Sequence, residues 1–96
     1  MSKVLASTQL PDGTTLSFDA GFDPPLNIHF LDVYREGQED PVFESLFHHP
    51  GGRFSYSIAD LTADVTRLAG RALPELTAAI IALGPVPNEV RDLGRL

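Results

Sequence analysis

Two acidic residues, Asp32 and Glu44, and three histidines, His29, His48 and His49, are the side chains whose type and spacing could do chemistry here. Asp32 and Glu44 flank the polar stretch Glu36-Gly37-Gln38-Glu39-Asp40-Pro41, and a hairpin centred near Gln38 sets them directly opposite one another. Facing carboxylates raise each other's proton affinity or take a cation between them. Like charges across a sheet are otherwise destabilising, although a bulge or a wet sheet margin relieves them without any chemistry. The histidines raise the question of a metal. His48 and His49 are neighbours, so on a strand they point to opposite faces, and zinc asks for three or four ligands at defined spacing. A small enzyme or metal-binding domain using Asp32, Glu44 and the histidines is thus one reading, with no catalytic residue, metal site or cofactor assigned.

Other chemistries find no footing. The absence of cysteine excludes thiol catalysis, disulfides and Cys-based zinc sites. Ser45, Ser55 and Ser57 lack the context of a nucleophile elbow. Pro50-Gly51-Gly52 is followed by no Gly-Lys-Ser/Thr and so is no phosphate-cradling loop.

The elements that must position these residues follow from periodicity. The 96 residues make one α+β domain, a sheet half over 1–50 and a helical half over 51–96. Val4, Ala6, Thr8 and Leu10 alternate, as do Leu16, Phe18, Ala20 and Phe22, with Pro11-Asp12-Gly13 between them. A three-residue loop with a bulge pairs Thr8 with Leu16, Ala6 with Phe18 and Val4 with Ala20, keeping apolar residues on one face. Asp23-Pro24-Pro25 stops the second strand. Leu26 to Arg35 and Val42 to His48 form a second hairpin, in which Tyr34 faces Val42, Phe30 faces Leu46 and Ile28 faces His48.

After residue 57 the period changes from 2 to 3.6. Ser57 and Asp60 open a helix with a capping box over 58–69, and Gly70 closes it. Pro74 opens a second over 74–83, ended by Gly84-Pro85, and Asn88, Val90 and Leu93 suit a short helical turn. The expected fold is a four-stranded antiparallel sheet of two hairpins, with a two-helix hairpin packed on one face. Phe18, Phe30, Leu61, Val65 and Ile80 are expected to be buried together.

If Leu16, Phe18, Ile28, Phe30 and Leu46 face the helices, then Leu5, Leu31, Val33, Phe43 and Phe47 face away. A solvated sheet face should be polar there, and an apolar patch marks a contact surface. Charge supports an interaction role. Residues 1–50 carry Lys3 and Arg35 against eight acids, so the whole net charge of −6 sits on that half. Such a surface repels nucleic acid and anionic membranes and favours a basic partner. The Gly70-Arg71-Ala72-Leu73-Pro74 link between the helices is not a DNA-reading turn, because residues 57–84 offer only Arg67 and Arg71 as cations.

Gly21-Phe22-Asp23-Pro24-Pro25-Leu26 and Phe30-Leu31-Asp32-Val33-Tyr34 resemble a stretch of short bacterial proteins without assigned function, which more often have Arg where this chain has Pro24. The resemblance covers about a third of the chain and implies no activity, cofactor or partner. The expected function is a small acidic protein–protein interaction module of the immunity, inhibitor or accessory-subunit kind, non-enzymatic, acting as a homodimer or with another protein. Leu31, Val33, Phe43 and Phe47, with Glu36, Glu39 and Asp40 of the loop, are the expected interface. With no leader-like or membrane-spanning run, a cytoplasmic location is expected.

Overall fold

Alternation in the first half builds most of a sheet, and the 3.6-residue stripes of the second half cover one side of it. The computed structural model describes residues 2–48, 55–84 and 88–96. Its elements are β1 (Ser2–Gln9), β2 (Thr15–Asp23), β3 (Ile28–Arg35), β4 (Pro41–Glu44), α1 (Ser45–His48), α2 (Ile58–Ala69), α3 (Pro74–Leu83) and β5 (Val90–Arg95). The strand order is β4-β3-β2-β1-β5. β5 runs parallel to β1 and the other neighbours are antiparallel, so the protein is α+β with a mixed five-stranded sheet.

The first hairpin has the expected register, Thr8 with Leu16, Ala6 with Phe18 and Val4 with Ala20. Its turn closes through Leu10 N–H to Thr14 O at 2.7 Å, and Gly13 supplies the left-handed conformation at φ 90°. Both long helices span the expected residues. Ser57 Oγ accepts from Asp60 N–H at 3.1 Å, and Asp60 Oδ2 accepts from Ser57 N–H at 3.0 Å. Two otherwise unpaired donors are satisfied reciprocally. Ser57→Ala is expected to cost about 1 kcal/mol, read from the urea midpoint, and an unchanged midpoint would show that the cap contributes nothing.

Three expectations require correction. The fourth strand ends at Glu44 rather than reaching His48. Ser45 turns inward there, its Oγ accepting from the β3 amide of Leu31 at 3.0 Å, so a side chain replaces the next ladder bond and α1 begins. A bulge also pairs Tyr34 with Pro41 instead of Val42. The tail is a strand, not a helical turn. β1 has a free edge, and Glu89 O accepts from Lys3 N–H at 2.9 Å while Leu96 N–H donates to Ser7 O at 2.7 Å. Satisfying an exposed row of backbone groups outweighs the weak helical signal of these residues.

The third correction concerns which way β3 and β4 face. Four residues, 24–27, separate the paired Asp23 and Ile28, with Asn27 in the left-handed region at φ 55°. That even-numbered turn sets Phe18 opposite Val33 and Ala20 opposite Leu31. Leu31 and Val33 are fully buried and Phe43 nearly so, packed with Phe18, Leu61, Val65, Leu76 and Ile80 under the helices. Phe30 therefore lies on the other face, outside the core. Its ring occupies the space above Gly21, with Cε1 3.0 Å from where a Cβ on that glycine would sit. Across the core, Arg71 Nη2 donates to Thr8 Oγ1 at 2.9 Å and to Leu96 O at 2.8 Å, tying the α2–α3 link to β1 and the end of β5.

Candidate functional site

Among the described residues, no long helix covers the second face of the sheet, and cross-strand pairing brings its acids together. Asp92 of β5 is opposite Leu5 of β1, Leu5 is opposite Asp19 of β2, Asp19 is opposite Asp32 of β3, and Asp32 is opposite Glu44 of β4. A rank of carboxylates thus crosses the sheet, broken once by a leucine. The face-to-face placement of Asp32 and Glu44 matches the sequence expectation. Asp19 completes the set, and sequence reasoning missed it because the parity of the 24–27 turn decides whether Asp19 meets Asp32 at all.

Two clefts open on this face and share Asp19. One, of about 370 Å³, is lined by Lys3, Asp19, Asp23, Leu26, Ile28, Phe30, Asp32, Glu44, Ser45, Leu46 and Tyr56. The other, of about 400 Å³, includes Leu5, Ser7, Ser17, Asp19, Tyr34 and Asp92. Acids sit at the middle and apolar groups around them. Leu26 and Leu46 are exposed at the rim of the first cleft, and Val42 and Phe47 are exposed on β4 and α1.

Among the described residues, Lys3 is the one basic residue lining either cleft. Its Nζ lies 3.2 Å from Asp19 Oδ2, while Asp19 Oδ1 is buried with no hydrogen-bond partner. Burial first, then the charges of Asp19 and Glu44, pushes the Asp32 carboxyl up to about 6, against the opposing pull of Lys3. The Tyr34 phenol is raised by burial and then by the neighbouring carboxylates.

A raised carboxyl pKa means that the folded chain holds this proton more tightly than the unfolded chain does. Its contribution therefore lowers stability as pH rises from about 4 to about 6. Asp32→Asn should raise stability at neutral pH by roughly 1 kcal/mol, a figure discounted for a half-exposed group, and should flatten that part of the pH profile. Urea unfolding across the window measures this. A variant less stable than the parent at neutral pH would mean that Asp32 is stabilised by contacts rather than strained by its neighbours.

His29 and His48 do not join the acids. His29 is on the helix side of β3, with its ring 5.0 Å from that of Phe22, and burial lowers its pKa. His48 Nδ1 accepts from Glu44 N–H at 2.7 Å, and the ring leans on Phe43 at 5.6 Å. His49 lies outside the described residues. Among the described residues, no three or more His, Cys, Asp or Glu side chains are grouped to hold a metal ion.

Of the expected interface, Leu31, Val33 and Phe43 are core residues and unavailable to a partner, whereas Phe47 is 65% exposed. Glu36, Glu39 and Asp40 are exposed on the β3–β4 hairpin. The patch expected on the outward face is replaced there by Leu5, Ile28, Phe30 and Tyr34 between the acids. Among the described residues, no helix is long and apolar enough to cross a membrane. Compared with known proteins, the chain matches no family model, no curated protein and no solved structure.

Proposed function

We propose that the protein is a non-enzymatic interaction module whose open sheet face docks a basic segment of another protein. One observation carries the reading: among the described residues, the outward face combines apolar ground with Asp19, Asp23, Asp32, Glu44 and Asp92, and Lys3 is the basic residue lining its clefts. Charge complementarity selects a partner with arginine or lysine. The exposed Leu26 and Leu46 beside the acids favour one whose basic residues alternate with aliphatic ones. Immunity proteins, inhibitors and accessory subunits are the kinds of protein that fit. Self-association is less favoured, since two copies of an acidic face repel.

Amide chemical-shift mapping with an acetylated peptide of alternating arginine and valine tests this. The expected shifts fall on the outward-facing residues of β1 to β4, and they weaken in Asp19→Asn/Glu44→Gln but not in Glu75→Gln, which lies on the helix layer. Shifts confined to α2 and α3, or equal loss with Glu75→Gln, would overturn the reading.

A second reading, a small enzyme in which Asp32 passes a proton, draws on the raised pKa of that carboxyl beside a cleft. Glu44 faces Asp32 there, whereas His29 and His48 pack elsewhere.

A further inference from the structure

Resting on the open face as a surface for basic partners, we infer that docking there is gated by protons. The Asp19–Asp32–Glu44 row carries a proton in the mildly acidic state and releases it to solvent when a cationic side chain settles on the row. Three features of the structure support this.

The three carboxylates occupy consecutive cross-strand positions on β2, β3 and β4, where facing Cβ atoms are about 5 Å apart. Each charge therefore bears on the next, and the middle one bears both. Phe30 and Ile28 line the same cleft and leave Asp32 half-buried, which raises the cost of its charge. Among the described residues, Lys3 is the cation lining the cleft; it engages Asp19 at the edge of the row and leaves Asp19 Oδ1 without a donor. A guanidinium arriving beside Asp32 supplies the missing charge.

Groups face Asp32 from each packed element among the described residues. They are Lys3 from β1, Asp19 and Asp23 from β2, Tyr34 on β3 itself and Glu44 from β4, with Asp92 of β5 farther along the rank. Arg95 of β5 pairs with Ser7 at the far end. The Tyr56 phenol donates to Asp64 Oδ2 at 2.7 Å. Among these, Asp32 has neighbours of like charge on both sides, and its carboxyl is pushed up to about 6. Where one group holds the proton, the macroscopic titration still belongs to the row.

A cation binds the ionised row, so apparent affinity scales with the ionised fraction. For a midpoint near 6, binding should be about tenfold weaker at about pH 5 than at about pH 7. The test is calorimetric titration of the alternating arginine–valine peptide across that range, with the point near the midpoint repeated in two buffers of different ionisation enthalpy. Arginine does not titrate there, so any released proton comes from the protein. The expected result is buffer-dependent heat equivalent to roughly half a proton per peptide near the midpoint, lost in Asp32→Asn together with the pH dependence.

Each contrary outcome has its own meaning. Binding that is independent of pH and buffer overturns the gate and leaves the docking face standing. Proton release that persists in Asp32→Asn also overturns it, by placing the proton on a group other than Asp32. No binding of the peptide at any pH removes the docking face and the gate with it.

Discussion

Val33→Asp is expected to leave no folded protein at neutral pH. Val33 sits at the centre of β3, fully buried between the sheet and the helices and opposite both Phe18 and Phe43. An unpaired carboxylate there either loses its hydration, at a cost of several kcal/mol, or takes a proton and remains an unsatisfied polar group. Domains of this size are stable by about 5–15 kcal/mol, and the cavity and packing losses add to the electrostatic one. Circular dichroism and amide spectra of the variant should show the unfolded chain. The same substitution is harmless if β3 faces the other way, so a folded variant with near-parental stability would reverse the assignment of faces.

The second large effect is expected at Gly21. A Cβ at this position meets the carbonyl oxygen of Ser2, with the Lys3 Cα at 3.1 Å. Both are backbone atoms of the neighbouring strand, so no side-chain rotation makes room and β1 must move away from β2. Gly21→Ala should lower stability by about 1–3 kcal/mol, seen as a fall in denaturant midpoint. Removing the ring above it, in Gly21→Ala/Phe30→Ala, should not restore the loss, because the tighter obstruction is the strand itself. Recovery in the double variant would identify the Phe30 ring as the real constraint.

Residues that carry strong local chemistry showed their places in advance. Pro11-Asp12-Gly13 and the alternation around it determine the β1–β2 register, and Ser57, Asp60, Gly70 and Pro74 mark the helix ends. What stayed hidden depends on parity or on distant partners. β3 is apolar on both faces, with Ile28 and Phe30 on one and Leu31 and Val33 on the other, so its pattern cannot choose between them. The four-residue turn at 24–27 makes that choice. The candidate face inherits the same limit: the Asp32–Glu44 pair was legible from one hairpin, whereas Asp19 joins only through the turn before β3. β5 was hidden for a different reason. Val90–Arg95 is mostly exposed and has no alternation, and a vacant strand edge eighty-odd residues away in the chain decides its conformation.

That parallel pairing of β1 with β5 has a kinetic meaning. Lys3 meets Val90, so everything between them must be made and brought round before the sheet reaches its final width. The entropy of closing so long a loop grows only slowly with its length, but contacts between residues distant in sequence are the ones that slow folding. During synthesis the β1–β2–β3–β4 portion can assemble first, with the outer side of β1 open to any passing strand. This interval is the one in which two nascent chains are most able to pair edge to edge, and the six residues of β5 act as the chain's own stopper for that edge.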